Sequence, residues 1–181
     1  VPRPAISGSL NAFTCGDLPG TEKLWSEQVL EGQHYQNAYI SRDIGKAIAA
    51  FRTRSAVEKV MTFEGPVEVT TPKGRGTAVS KLAFIWINNL QYELIQPVSG
   101  LVDIYTDELP ADDSLKFHHI CMRVPEWDNF RARVDQKGYR VVLEGGGDQL
   151  KYIYIDARAF LGHYLEYVWM TPERWAALGG K

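Results

Sequence analysis

A strand, a helix and then several strands occur twice in this chain of 181 residues, and that repeat limits the possible folds more than any other feature. In the first pass, His34–Ile40 reads as a strand and Asp43 caps a helix with Ile44, Ala47, Ile48 and Phe51 at helical spacing. Strand-like runs follow at Val57–Phe63 and Val67–Thr71. After a turn at Pro72–Gly76 come two more, Ala78–Ile87 and Tyr92–Gln96, joined by Asn88-Asn89. In the second pass, Lys116–Val124 is a strand, and Pro125 leads into a helix bearing Trp127, Phe130 and Val134, with Gly138 as its C-terminal cap. Tyr139–Leu143, Tyr152–Ile155 and Tyr164–Trp169 read as strands, with Gly145-Gly146-Gly147 as a turn.

The repeat can be checked by spacing. Gln36 lies seven residues before Asp43, and His119 lies seven before Glu126. Gln36 to Glu93 is 57 residues and His119 to Glu166 is 47, a difference that longer hairpins in the first half absorb. A divergent duplication of this kind predicts a pseudo-twofold pair of modules. The expected organisation is an N-terminal extension over 1–31, a first module over 32–105, a linker over 106–115, a second module over 116–170 and a terminal helix over 171–181. The extension is broken by Pro2, Pro4, Gly8, Gly16, Pro19 and Gly20, then offers Leu24, Trp25, Val29 and Leu30 as a short helical face.

Twenty basic against twenty-two acidic side chains leave a net charge of −2, which argues against a nucleic-acid binder and against a polybasic membrane-surface protein. No run is apolar and long enough to predict a membrane span, and no leader pattern is evident. Cys15 and Cys121 make no disulfide framework, so a reduced, cytoplasmic setting is expected.

The duplication places four polar side chains at matching points: Gln36, Glu93, His119 and Glu166. Each interrupts an apolar or aromatic strand. A carboxylate on the inner face of a sheet is costly unless it is paired, hydrogen-bonded or bound to metal. Strand alternation gives Gln36 the face of His34, Ala38 and Ile40, and Glu93 that of Gln91 and Ile95. It gives His119 the face of Phe117, Cys121 and Arg123, and Glu166 that of Tyr164 and Val168. It turns His118 and His163 the other way. Facing one cleft, the four form a mixed nitrogen and oxygen set suited to Zn²⁺, Ni²⁺, Co²⁺, Mn²⁺ or Fe²⁺. The plainer alternatives are a satisfied strand histidine, glutamates that face solvent, and an amide that merely hydrogen-bonds. Lys73 and Arg75 fit a solvated turn.

With these residues in register, the chain resembles the vicinal oxygen chelate superfamily, which includes glyoxalase I, methylmalonyl-CoA epimerase and extradiol dioxygenases. The resemblance spans about residues 33–170. Phe117-His118-His119-Ile120-Cys121-Met122-Arg123-Val124 is similar to the epimerase motif that opens the second module, and Glu93-Leu94-Ile95-Gln96-Pro97 with Ser99 is similar to its first-module counterpart. The first ligand position departs from the epimerases, which usually carry His where this chain has Gln36. The order Gln, Glu, His, Glu is similar to a glyoxalase I set, although the surroundings of Glu93 lack the motif of that enzyme.

The resemblance implies an α+β fold in which two βαβββ modules form a cupped mixed sheet around a divalent metal (Zn, Ni, Co, Mn or Fe) held by Gln36, Glu93, His119 and Glu166. It implies an isomerase, epimerase or lyase that abstracts a proton α to a carbonyl on the metal, with Glu166 as base and Glu93 as the alternative or reprotonating carboxylate. A small-molecule substrate and a homodimer go with it. A ring-cleaving iron dioxygenase is the second reading; it wants two histidines and would need His34 in place of Gln36. A metal-free binder of an apolar or aromatic molecule is the third, with Tyr35, Tyr39, Trp86, Tyr92, Tyr152, Tyr154 and Tyr164 as pocket candidates.

Overall fold

The computed structural model describes residues 31–180 apart from 56 and 58, so the helical face expected at Leu24–Leu30 lies outside the described residues. The first half contains β1 (Gln33–Ile40), α1 (Ile44–Arg54), β2 (Val60–Thr71), β3 (Gly74–Ile87) and β4 (Leu90–Gly100), followed by a short α2 (Asp103–Thr106). The second contains β5 (Lys116–Arg123), α3 (Trp127–Lys137), β6 (Val141–Gly147), β7 (Leu150–Ile155), α4 (Arg158–Leu161), β8 (Tyr164–Met170) and α5 (Pro172–Ala177). Among the described residues, no helix is long and apolar enough to cross a membrane.

The sheet runs β1-β4-β3-β2-β6-β7-β8-β5 and closes on itself. Within each half the order is the same: β1 pairs parallel with β4, and β5 pairs parallel with β8. The halves meet at two antiparallel seams, β1 with β5 and β2 with β6. Equivalent strands therefore meet each other in opposite directions, as a pseudo-twofold axis requires. The β2–β6 seam is narrow, with only Val69↔Gly145 and Thr70↔Glu144 in register.

The helices form for local reasons. Asp43 accepts a hydrogen bond from the Lys46 backbone N–H (3.0 Å) and so caps α1. Gly138 takes φ 66° at the end of α3, a left-handed position that glycine tolerates best. The two longer helices cover the outside of the sheet. Ala47 joins Ala83, Ile85 and Leu94 in a buried cluster beneath α1, and the Phe130 ring lies 4.6 Å from that of Tyr167 beneath α3. Burying a side chain the size of Ile85, Leu94 or Phe130 contributes about 1.5–3 kcal/mol. Because one face meets a helix and the other the barrel interior, β4 buries Leu94 and Ile95 side by side.

Two expectations are corrected here. The runs at Val57–Phe63 and Val67–Thr71 are not two strands: one strand covers 60–71, passing straight through Gly65-Pro66, with every residue paired to β3. Gly145-Gly146-Gly147 is not a turn; it ends β6, and the turn falls at Asp148-Gln149. Gly145 pairs with Tyr152, and a Cβ at Gly145 would sit 2.6 Å from the Tyr152 hydroxyl. Glycine is required there because an aromatic ring crosses the backbone.

Candidate metal centre

Four adjacent strands, β4, β1, β5 and β8, place the polar residues in two rows. One row reads Glu93, Ala38, His119, Tyr164, and the next reads Gln91, Gln36, Cys121, Glu166. The equivalences expected from spacing follow from this register: Glu93 lies opposite Ala38, two residues past Gln36, and Glu166 lies opposite Cys121, two residues past His119.

Two bulges at the β1–β5 seam aim the side chains. The pairing skips Tyr35 on β1 and His118 on β5. Each skipped residue immediately precedes a site residue, and the two are equivalent under the duplication. A bulge breaks the two-residue alternation, so consecutive side chains enter the same side. Tyr35 and Gln36 accordingly both line the interior cavity, and His118 and His119 are both buried. This overturns two expectations. His118 does not face away from His119: their Nδ1 atoms lie 2.9 Å apart. His34 does not share the face of Gln36: it is exposed, and its Nε2 contacts Asn37 Oδ1 at 2.9 Å.

Glu93, His119 and Glu166 offer ligand atoms that all lie within 4.8 Å of one another. His119 Nε2 is 3.2 Å from Glu166 Oε2 and 3.5 Å from Glu93 Oε2. Neither contact is aligned as a hydrogen bond, and Nε2 is left without a hydrogen-bond partner although His119 has no exposed surface. Nitrogen and oxygen ligands held at roughly 2.0–2.2 Å from one ion lie about 3–3.5 Å from each other, so these separations fit a shared divalent cation. Gln36 donates its amide N–H to Gln91 Oε1 at 2.6 Å and leaves its own buried Oε1 unpartnered. A spare amide oxygen suits a hard or borderline cation.

The electrostatics agree. Burial disfavours the His119 imidazolium, but Glu166 and Glu93 outweigh it and raise His119 to about 9. Burial pushes the Glu93 carboxyl up; His119 opposes this and Glu166 adds to it. Burial, with the His119 charge beside it, lowers His118 to about 3.

Gln36, Glu93 and Glu166 line an interior cavity of about 190 Å³. Its other walls are mainly Val69, Leu82, Phe84, Leu143, Val168 and Met170, with Phe63 and Val67 half-exposed. Among the described residues that line it, none is Lys or Arg, so His119 alone faces the two carboxylates as a potential cation. Of the expected aromatic wall, Tyr35, Tyr152 and Tyr154 take part. Tyr39 and Tyr92 instead stack on each other beside Phe51, and Trp86 packs against Trp175. Tyr164 lies beneath the Arg158 guanidinium. Sequence reasoning missed Tyr105, which enters from α2 and donates its hydroxyl to that of Tyr154 at 3.2 Å. No periodic signal marks it, since a four-residue helix is too short to carry one. It also missed Gln91 as the partner of Gln36, a pairing that only the parallel β1–β4 register creates. Lys73 is exposed and paired with Asp103, as a solvated turn predicts.

Comparison with known proteins adds to this. The family model for the glyoxalase/bleomycin resistance protein/dioxygenase superfamily matches residues 35–154. Solved structures of similar fold include a methylmalonyl-CoA epimerase in complex with methylmalonyl-CoA and NH4+, at 16% identity and TM-score 0.58, covering 78% of this chain and 96% of that one. A Streptomyces coelicolor methylmalonyl-CoA epimerase variant in complex with 2-nitronate-propionyl-CoA is 17% identical, with TM-score 0.58 over 78% and 96%. The Mycobacterium tuberculosis methylmalonyl-CoA epimerase is 15% identical, with TM-score 0.53 over 83% and 99%. No curated protein matches the chain by sequence.

Proposed function

The chain belongs to the glyoxalase/bleomycin resistance protein/dioxygenase superfamily, and from that premise we propose that it is a divalent-metal-dependent isomerase or epimerase that moves a proton α to a substrate carbonyl. One observation carries the reading. Two carboxylates from opposite flanks of the β1–β5 seam converge on one imidazole nitrogen at a cavity with no Lys or Arg among the described residues of its wall. Gln36, Glu93, His119 and Glu166 would hold the metal. When bound, a divalent cation supplies a Lewis acid that polarises a substrate oxygen.

The protein's own groups do the rest. Glu166 takes the α-proton and Glu93 returns one, from β8 and β4 respectively. Carboxylates on two flanks of one point suit removal from one face and return on the other. The apolar walls desolvate the reacting carbon and exclude bulk water. A cavity of about 190 Å³ suits a compact acyl group or single ring, and larger parts of a substrate would leave past Phe63 and Val67. The solved epimerases act on methylmalonyl-CoA, so branched acyl thioesters are the first substrates to try.

The test starts with elemental analysis of protein purified without chelator or metal-affinity resin. Deuterium exchange at the α-carbon of branched acyl thioesters and 2-oxo acids is then followed by NMR in D₂O. Stoichiometric divalent metal, with exchange that stops on chelation and returns on reloading, is expected. Oxygen consumption by iron-loaded protein without exchange would move the reading to a dioxygenase. Tight binding of an aromatic ligand by protein that takes up no metal would move it to a binding protein.

A further inference from the structure

Among the buried titratable side chains that the mechanism leaves unused is His118, which adjoins a ligand directly. His118 is 3% exposed, its Nδ1 faces His119 Nδ1 at 2.9 Å, and its Nε2 faces the Ile104 carbonyl oxygen at 2.9 Å. These contacts determine where the protons sit. A carbonyl only accepts, so His118 Nε2 carries a proton. Two nitrogens 2.9 Å apart share one proton, so one Nδ1 donates and the other accepts. If His118 Nδ1 donated as well, His118 would be an imidazolium buried among Tyr105, Tyr154 and Tyr164, with no carboxylate paired to it among the described residues. The donor is therefore His119 Nδ1–H, and His118 Nδ1 accepts.

We propose that His118 is a positioning residue that commits His119 to bind metal through Nε2. The relay runs from the Ile104 carbonyl, through Nε2–H and Nδ1 of His118, to Nδ1–H of His119. It leaves Nε2 as the one ring nitrogen open to a metal, which displaces any proton there, and points it where Glu93 and Glu166 converge. A ligand histidine whose second nitrogen donates a hydrogen bond is held in one tautomer and one ring orientation. The bulge makes this possible, because regular alternation would put His118 on the far side of the sheet. Ile104 belongs to α2, so the segment joining the two halves anchors the ligand of the second.

This inference rests on the metal reading, and the experiment separates the two. Histidine-selective ¹⁵N NMR of the metal-free protein should show His118 as the neutral Nε2–H tautomer and a proton on His119 Nδ1. Co²⁺ titration, followed by its visible absorption bands, should then show binding weakened roughly 10–100-fold in His118→Phe, the size expected when a supporting hydrogen bond to a ligand is lost. His118→Asn returns an acceptor near the position of Nδ1 and should recover most of that loss. Undiminished Co²⁺ binding by a folded His118→Phe, or a proton on His118 Nδ1 in the wild-type spectrum, would overturn the role of His118 and leave the metal reading standing. The NMR assignment holds even if His118→Phe does not fold. Wild-type protein with the expected tautomers but no Co²⁺ binding would overturn the metal reading, and His118's role with it.

Discussion

The two halves of the barrel share one plan and have diverged in chemistry at the same two positions. In each, a bulge residue precedes a site residue on the first strand, and a glutamate arrives from the parallel last strand. In the second half the pair is His118-His119, and the bulge residue hydrogen-bonds the site residue. In the first half it is Tyr35-Gln36. There the bulge residue turns to Trp175 and Trp86, accepts a weak bond from Cys121 Sγ at 3.6 Å, and leaves Gln36 to be oriented by Gln91. The backbone device was kept and the orienting group changed. The second half presents an ionisable imidazole nitrogen that ligates strongly once its proton leaves; the first presents a neutral amide oxygen. The two halves should therefore contribute unequally to metal binding and catalysis.

Four measurements would break or sharpen that comparison. The largest effect is expected from the glutamates. Glu166→Gln should lower the α-exchange rate by about 10²–10⁴-fold with metal still bound, as loss of a general base does. Glu93→Gln should slow exchange less, and equal losses would mean that the two halves act symmetrically. Next come the ligands. Removing one of four ligands from a site worth about 10–16 kcal/mol weakens binding roughly 10²–10³-fold, and His119→Ala should reach that range in a Co²⁺ titration. Gln36→Ala should fall well short of it, and a Gln36 effect as large as that of His119 would overturn the asymmetry.

The third measurement is pH dependence. The metal-free protein holds His119 at about 9, so a proton competes for Nε2 below that value. Metal affinity should rise about tenfold per pH unit as pH climbs toward about 9 and then level off. The metal-free fold should show the opposite trend. The contribution from imidazolium between two carboxylates is fully present below about 6.5 and is lost as pH rises through about 9. Of the two equivalent first-strand residues only His119 titrates, so His119→Ala should flatten both curves. The smallest effect lies at the helix caps. Asp43 caps α1 with its side chain, whereas Glu126 makes no such bond at α3. Asp43→Ala should cost about 1 kcal/mol in denaturant unfolding, and Glu126→Ala less than about 0.5 kcal/mol.

What a sequence can show is clear from particular residues. The seven-residue spacing from Gln36 to Asp43 and from His119 to Glu126 was legible because both ends are local: a strand position and a helix cap. The apolar faces of α1 and α3 were legible for the same reason. The faces of His34 and His118 were not. Counting by two assumes unbroken alternation, and a single extra residue at a seam inverts every assignment on one side of it. The extra residue is defined only by the opposing strand, more than 75 residues away in the chain.

The sequence by itself therefore determined the repeated order of a strand, a helix and then strands, the two longer helices with the Asp43 and Gly138 caps, and the four polar residues that interrupt apolar strands. These follow from spacing and local chemistry. Only the tertiary structure decided that Glu93 and Glu166 approach His119 from opposite flanks, that Gln36 leans on Gln91, and that His118 supports His119 from behind. Each of those contacts joins strands, or depends on a strand register, set by backbone pairing between distant segments. Such pairing is worth as much to one sequence as to another and leaves no mark in a linear pattern.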